Sequence, residues 1–166
     1  MVLPINEDTT TIGARARTTL KVSTAVEWNS GADFDLYVIT GGPILVRYLY
    51  GVVSTTMGVG NAIPQLQYTS LDGAVATVMD LAMAAIAGHV DGSIYVWSGA
   101  VGNQMAPAAA LGHADSAEYE WQTLGNFCIL APGTIDIING VLCNAGEVDW
   151  YLTWIPLRSG CAVTAQ

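Results

Sequence analysis

Residues 132–163 read PGTIDIINGVLCNAGEVDWYLTWIPLRSGCAV, and this stretch decides the fold class. Between Val148 and Ile155, Val148, Trp150, Leu152 and Trp154 fall on one side of an extended chain, and the residues between them fall on the other. A period of two rich in aromatic and β-branched side chains predicts a half-buried strand. Asn144-Ala145-Gly146 predicts a tight turn that joins this strand to one beginning after Pro132-Gly133. We predict Trp150, Leu152 and Trp154 to be core residues.

Composition favours a protein that assembles with other chains. The 166 residues fit one domain, 52% of them are hydrophobic and only 11% are charged. Soluble domains carry about 25% charged residues, so a monomer of this composition would leave much apolar surface in water. Burial against partner chains, as a trimer or dimer, is the simpler prediction.

The net charge of −9 argues against nucleic acid as a ligand of the body of the protein. Residues 51–166 hold nine of the acids and a single base, Arg158. The same charge could simply keep an apolar protein in solution. No signal peptide is indicated in residues 1–30, and the longest apolar tract, residues 36–53, is interrupted by Gly41-Gly42-Pro43 and Arg47, so no membrane contact is expected.

Further strands are expected along the chain. Residues 34–40 and 44–56 predict two strands joined by Gly41-Gly42-Pro43, with Gly51 marking a bulge or bend. Shorter strands are predicted over 62–71, 92–98 and 118–130, with a long loop over 99–117. Turn signals about every ten residues are typical of a sandwich or jelly roll. Residues 74–83 fit either a helix or a strand, because apolar side chains recur at both spacings.

Residues 1–32 predict an extended N-terminal arm preceding a domain over 33–166. The segment begins with polar residues and carries Arg15, Arg17 and Lys21. These bases could form an ordinary solvated face, or they could guide the arm onto an acidic neighbour, where it would add a strand. We therefore name Arg15, Arg17 and Lys21 as candidate partner contacts.

No recognised catalytic motif is present, so the sequence predicts no enzyme and no cofactor. His89, Asp91 and His113 would be a usable metal set, but histidines beside loops are ordinarily solvated, and we expect no metal. The acids Asp115, Glu118 and Glu120 read as a solvated loop rather than an acid–base pair. Asp33-Phe34-Asp35 has the spacing of a divalent-ion motif but lacks a suitable βα context. Cys128, Cys143 and Cys161 are expected to be free thiols in a reducing compartment.

The C-terminal pattern resembles the capsid decoration, or cement, proteins encoded among the head genes of tailed bacteriophages. The matching residues are Gly133, Thr134, Ile135, Gly146, Trp150, Leu152, Pro156, Leu157, Gly160, Ala162 and Val163. Residues 37–44 with 49–51 resemble the first strand pair of those proteins, and residues 92–95 with 98–99 resemble their middle strand. In those proteins the segment before the middle strand is β, which favours a strand over 74–83. The long Gly/Ala loop departs from the pattern.

Together, the patterns and the resemblance imply an all-β, jelly-roll-like antiparallel sandwich with an N-terminal arm and at most one short helix. The resemblance implies a non-enzymatic homo-oligomer on the outer surface of a virion, assembled in the host cytoplasm, whose partner is the major capsid protein. The alternative is a carbohydrate-binding module of a phage fibre or adhesin that uses Trp97 or Trp121 on an exposed face.

Overall fold

The computed structural model describes residues 15–60, 62–72, 76–80, 82–83, 85–97 and 128–166. These residues form one short helix and ten strands. The elements are β1 (Arg17–Ser23), α1 (Ala25–Ser30), β2 (Phe34–Thr40), β3 (Ile44–Thr55), β4 (Gln65–Ser70), β5 (Ala76–Val78), β6 (Ile94–Val96), β7 (Cys128–Leu130), β8 (Gly133–Ile138), β9 (Glu147–Pro156) and β10 (Ala162–Ala165). The predicted strand over 92–98 corresponds to β6. In the segment that fitted either a helix or a strand, Ala76–Val78 is a strand.

The strands make two antiparallel sheets packed face to face. Sheet A has the order β1-β9-β3-β6, with β7 also paired to β3, and sheet B has the order β10-β2-β8-β4-β5. The pairs β1·β9, β2·β8, β3·β6 and β4·β5 are nested, as when one long hairpin is folded over onto itself. This nesting is the jelly-roll arrangement. The predicted all-β jelly-roll class is therefore confirmed.

One edge strand of sheet A is interrupted. Strands β6 and β7 both pair antiparallel with the same side of β3, at Val96↔Tyr50 and Cys128↔Val46. Only Arg47, Tyr48 and Leu49 of β3 lie between those two partners, so β6 and β7 are two halves of a single strand position. The loop predicted over 99–117, and most of the strand predicted over 118–130, lie outside the described residues.

The hairpins predicted from the sequence differ from the structure. Strands β8 and β9 belong to different sheets, so residues 139–146 cross between the sheets instead of making a tight turn within one. The crossing is held to α1: the Trp28 carbonyl accepts hydrogen bonds from Asn139 Nδ2 at 3.2 Å and from the Cys143 amide at 3.0 Å. Strands β2 and β3 are likewise in different sheets. Alternating apolar and polar residues predict that a segment is a strand, but they do not predict which strand it pairs with.

The predicted arm also differs from the structure within the described residues. Strand β1 pairs along its whole length with β9, from Arg17↔Trp154 to Ser23↔Val148. Helix α1 follows, with Thr24 and Glu27 forming a capping box, and Trp28 is completely buried in the core. Residues 17–30 are therefore part of the sandwich. Within residues 15–32, the predicted boundary at residue 32 therefore does not separate an N-terminal arm from the sandwich domain.

The core lies between the two sheets. Its largest fully buried side chains are Trp28, Trp150, Tyr37, Tyr95, Leu36, Ile39, Ile44, Leu49, Met57, Leu66 and Ile86. Trp150 and Leu152 are 0% exposed and Trp154 is 3% exposed, and all three point inward from β9. The inward face of β9 thus lies at the centre of the interface between the sheets. No helix in the described ranges is long and apolar enough to cross a membrane.

Candidate functional site

Strand β1 has its polar side chains turned inward and its apolar side chains turned outward. Leu20 and Val22 face away from the core and remain 47% and 43% exposed. The alternate residues Thr19, Lys21 and Ser23 face the core. This pattern is the reverse of an ordinary half-buried strand. It explains why hydrophobic periodicity did not predict β1 as part of the sandwich.

Each inward polar group of β1 has a partner. Ser23 Oγ accepts hydrogen bonds from the indole Nε1 of Trp28 and of Trp150, both at 3.1 Å, and donates to the Val148 carbonyl. Thr19 Oγ1 accepts from Trp154 Nε1 at 3.1 Å. Because a buried indole N–H needs an acceptor, these contacts let three tryptophans enter the core without an unpaired donor.

Lys21 is buried beside the core and lies 2.7 Å from Glu27 Oε1 of α1. An inward-pointing charge on an edge strand discourages the strand from pairing with another chain. The structure therefore separates the three bases named from the sequence: Arg15 and Arg17 are exposed, while Lys21 is held in an internal ion pair. The guanidinium carbon of Arg17 lies 5.3 Å from the centroid of the Trp154 ring, a cation–π contact.

The outer side of sheet A continues the apolar surface that β1 begins. The strand register aligns Val22, Asp149, Val52 and Ile94 in one row and Leu20, Tyr151 and Tyr50 in the next. We define the apolar face as Leu20, Val22, Leu45, Tyr48, Tyr50, Val52, Ile94, Ile129, Tyr151 and Ile155. Its polar interruptions include Asp149 and Glu147, which accept hydrogen bonds from Ser54 and Thr55. Thr18 and Thr153 form another, with their hydroxyl oxygens 3.1 Å apart.

Two tyrosines occupy the middle of the apolar face. The rings of Tyr50 and Tyr151 are stacked, with centroids 4.9 Å apart and planes 14° from parallel. Partial burial raises the pKa of Tyr50, and the neighbouring Tyr151 raises it further. The phenol of Tyr50 therefore stays neutral at physiological pH. Ile129, on β7, is 63% exposed at the margin of the same face.

The outer side of sheet B is of the ordinary polar kind. The residues that point outward along its register are Asp35, Val38, Thr40, Gln65, Gln67, Thr69, Ala76, Val78, Thr134, Asp136, Ile138, Ala162 and Thr164. Antiparallel sheets commonly keep one polar face in water. The outer surface of sheet B follows that rule and the outer surface of sheet A does not, so the two faces of the same sandwich differ in polarity.

Asp35 and Asp136 are directly opposite each other on β2 and β8. Burial raises the pKa of Asp136 to about 6, and the adjacent Asp35 carboxylate raises it as well. Thr69 Oγ1 donates a hydrogen bond to Asp136 Oδ2 at 3.3 Å, and this hydrogen bond lowers the pKa of Asp136. Like charges directly opposite on a ladder are destabilising, so protonation of Asp136 near pH 6 relieves the repulsion. Asp33, of the spacing singled out in the sequence, accepts a hydrogen bond from the Asn139 amide.

Two titratable groups are buried near the connection between β5 and β6. Asp80 is 0% exposed, and burial raises its pKa to about 7, although its Oδ1 accepts from the Leu66 amide at 2.8 Å. His89 Nδ1 lies 3.0 Å from the Tyr95 hydroxyl, and burial lowers the pKa of the imidazole. The side chains of His89 and Tyr95 also contact as tilted rings. His89 is therefore a core residue rather than a solvated loop histidine.

Nothing in the described part of the chain gathers three His, Cys, Asp or Glu side chains into a metal site. His113, Asp115, Glu118, Glu120 and Trp121 lie outside the described residues. Trp97 is half-buried, and its Nε1 donates to the Met79 carbonyl at 3.0 Å. Cys143 and Cys161 are buried free thiols, and Cys128 is a half-buried one.

A flat apolar sheet surface with stacked tyrosines and few charges is suited to contact with another protein surface. Aromatic side chains are enriched in protein interfaces and charged ones are depleted at their centres. Four strands at about 4.8 Å spacing and about nine residues at about 3.3 Å give a face of roughly 600 Å². That is close to the ~800 Å² per partner of a standard interface. In the sequence, β3 and β9 carry apolar residues on both sides, but this pattern does not distinguish an exposed face from burial between two layers.

No family model matches the chain, and no curated protein matches it. Two chains from solved structures are similar to it. One comes from the structure of the infectious bursal disease virus Gx strain, at 11% identity and a TM-score of 0.26, covering 91% of this chain and 38% of that one. The other is a mutant VP2 protein of infectious bursal disease virus in derived T=1 particles, at 12% identity and a TM-score of 0.24, covering 92% and 39%. This chain thus spans about two fifths of their length, and a similarity this low transfers no function.

Proposed function

We propose that this protein is a non-enzymatic structural component of a virus particle that attaches to the shell through the apolar face. The observation that carries the proposal is the contrast between the two outer sheet surfaces. Sheet A presents Leu20, Val22 and the Tyr50–Tyr151 stack where sheet B presents polar side chains. A monomer gains nothing from such a surface, since exposed apolar area costs about 25 cal/mol per Å² relative to burial.

The finer proposal is that of a decoration or cement protein on the outside of the capsid. It draws on the sequence resemblance to phage decoration proteins, on the jelly-roll topology and on the acidic net charge of −9. A protein that binds the assembled shell but not its separate subunits stabilises the shell by mass action. Each bound copy would cover part of two neighbouring shell subunits. The major capsid protein is the proposed partner, and no reaction is required.

The test is cosedimentation with shells assembled from the major capsid protein of the virus that carries this gene. We expect the wild-type protein to sediment with these shells and to raise their melting temperature. Leu20→Glu and Ile129→Glu place charge on exposed positions of the apolar face, and each should weaken binding at least tenfold. Thr134→Glu and Thr164→Glu make the same change on the outer side of sheet B, and these controls should bind normally.

Two results would contradict the proposal. One is a wild-type protein that fails to bind the shells at micromolar concentration. The other is a reversal in which Thr164→Glu abolishes binding while Leu20→Glu does not. Circular dichroism of all four variants distinguishes lost contact from lost fold.

A further inference from the structure

The strand directions give the sandwich two different ends. At one end lie α1 and the described residues of the connections from β3 to β4, from β5 to β6 and from β8 to β9, which we call the loop end. At the opposite end lie the starts of β1 and β3, the turn at 41–43 and the loop 157–161. We call this second end the arginine end, because Arg15, Arg17, Arg47 and Arg158 all belong to it or to the strand halves next to it.

Within the part of the chain that the structure describes, charge is segregated between these ends. All five basic side chains of the chain lie in the described residues, and the four arginines are in the half nearest the arginine end. Lys21, the remaining base, is nearer the loop end, where it is buried and paired with Glu27. The described acids of the loop half are Glu27, Asp33, Asp35, Asp80, Asp91, Asp136, Glu147 and Asp149. Asp72 is the described acid of the other half.

Both ends also expose large apolar side chains. At the loop end Val26 is 78%, Val59 is 73% and Leu142 is 47% exposed. Val59 lies close to Leu142, because the Asn144 amide donates to the Val59 carbonyl. Helix α1, which carries Val26, is joined to the same connection by the hydrogen bond from the Cys143 amide to the Trp28 carbonyl. At the arginine end Leu71 and Leu157 are 76% and 43% exposed. Each end thus exposes apolar side chains, with acids at the loop end and mainly arginines at the arginine end, where Asp72 is the one described acid.

We infer that the loop end of one copy docks on the arginine end of a second copy. A stable contact is favoured by opposite charge and by apolar area on the two surfaces. The loop end and the arginine end of this chain have opposite charge, and both expose apolar area. A contact between two loop ends would place Asp91 and Asp33 against their own equivalents. A contact between two arginine ends would bring Arg15 and Arg158 against theirs. Only the head-to-tail arrangement brings acids against bases.

A head-to-tail contact has a consequence for symmetry. Because the two surfaces are different, the contact cannot close as a two-fold dimer. It generates a ring of three or more copies when the rotation closes, and an open filament when it does not. Of the two oligomers expected from composition, the trimer is therefore the compatible one. The inference concerns the purified protein alone, so it stands or fails separately from shell binding through the apolar face.

Two variants, each with one altered end, test the inference by analytical ultracentrifugation. Arg15→Glu with Arg158→Glu alters the arginine end, and Val59→Asn with Asp91→Asn alters the loop end without adding a charge that would attract the new glutamates. We expect the wild type to be an oligomer at low salt, each altered protein to be a monomer, and their equimolar mixture to form a 1:1 dimer. That dimer joins the intact loop end of the first variant to the intact arginine end of the second. Thr164→Glu is the matched control and should behave as wild type.

The other outcomes overturn the inference. If either variant still associates alone, copies meet through a different contact, such as two like ends or the apolar face. A wild-type protein that stays monomeric at 100 micromolar and low salt also contradicts the inference, because this concentration is about a hundred times a typical dissociation constant of ~1 μM. A mixture of the two variants that stays monomeric contradicts it as well. Should the Arg158 variant fail to fold by circular dichroism, Arg15→Glu with Arg17→Glu replaces it with the same expected results.

Discussion

Gly51 of β3 lies directly opposite Trp150 of β9 and leaves the space that its indole occupies. A Cβ at Gly51 would meet Trp150 Cε3 at 2.9 Å and Val148 Cγ1 at 2.8 Å, closer than packed carbon atoms approach. The sequence predicted a bulge at this glycine. The structure places the register irregularities of β3 instead between Val46 and Tyr48 and between Val53 and Thr55. Gly51 is needed for packing within a regular part of the ladder.

Gly51→Ala is therefore expected to destabilise the protein by about 1–3 kcal/mol, the usual cost of overpacking a core. Alanine would ordinarily favour the folded state slightly over glycine, so a net loss isolates the steric conflict. The measurement is chemical denaturation. Val52→Ala, at the next residue on the outward side, is the control and should change stability less. An alanine variant more stable than wild type would contradict this description of the Trp150 site.

Ser23→Ala should destabilise the protein by about 2–4 kcal/mol. The change leaves the indole N–H groups of Trp28 and Trp150 without their shared acceptor, and a buried unpaired donor costs about 1–3 kcal/mol. Denaturation monitored by tryptophan fluorescence measures both the stability and the indole environment. Ser54→Ala, which removes an exposed hydroxyl contact with Asp149, should alter stability by no more than about 0.5 kcal/mol. Equal effects of the two changes would argue against the shared-acceptor arrangement.

Deletion of residues 2–24 should unfold the protein. The deletion removes β1, its ladder with β9 and the Ser23 contacts, which exposes the inward face of Trp150. Circular dichroism and thermal melting provide the measurement. Arg15→Ala with Arg17→Ala keeps the strand and removes the two exposed bases, so it should remain folded. A truncated protein with a wild-type melting temperature would restore the interpretation of this segment as a dispensable arm.

Asp80→Asn should stabilise the protein at pH 8 by a few kcal/mol. The pKa of Asp80 is raised from 3.8 to about 7, so between about pH 4 and pH 7 the folded chain holds a proton that the unfolded chain has released. Stability therefore falls as pH rises through that window and levels off above it. Asparagine stays neutral and retains an oxygen for the Leu66 amide. Denaturation at pH 4, 6 and 8 tests this, and an identical pH slope in both proteins would contradict it.

His89→Gln should reduce the loss of stability that occurs as the pH falls from 7 to 5. Burial lowers the pKa of His89 from 6.5, so the unfolded chain binds a proton that the folded chain resists as pH falls below 6.5. The wild type should lose stability relative to the variant between pH 7 and pH 5, opposite in sign to the contribution of Asp80. Glutamine can still reach the Tyr95 hydroxyl. A variant whose stability runs parallel to wild type across this range would show that His89 titrates normally.

The strands with one apolar side were predictable from sequence. Trp150, Leu152 and Trp154 recur with period two, and Leu36 and Ile39 lie in a tract that predicts a strand. Strand β1 was not predictable from hydrophobic periodicity, because Thr19, Lys21 and Ser23 point inward and are satisfied by partners remote in sequence. Their hydrogen-bond and ion-pair partners belong to β9 and α1, which come near β1 only in the folded structure.

The pairing of strands and the apolar face were also beyond the sequence pattern. Adjacent strands such as β8 and β9 looked like a hairpin, yet each pairs with strands far along the chain. Tyr50 and Tyr151 come from strands with apolar residues on both sides, which fits burial between two layers as well as exposure at an interface. Only the register shows that these rings stack on the outside of the sandwich.

The interruption between β6 and β7 makes the sandwich tolerant of change at one point. The attachment points lie opposite Tyr50 and Val46, four residues apart along β3, which is about 13 Å. A linker of about five residues could cover that distance. Lengthening, shortening or exchanging residues 98–127 would therefore leave the hydrogen-bonded ladders on either side in register. A foreign peptide or small domain could be grafted at the same point for display.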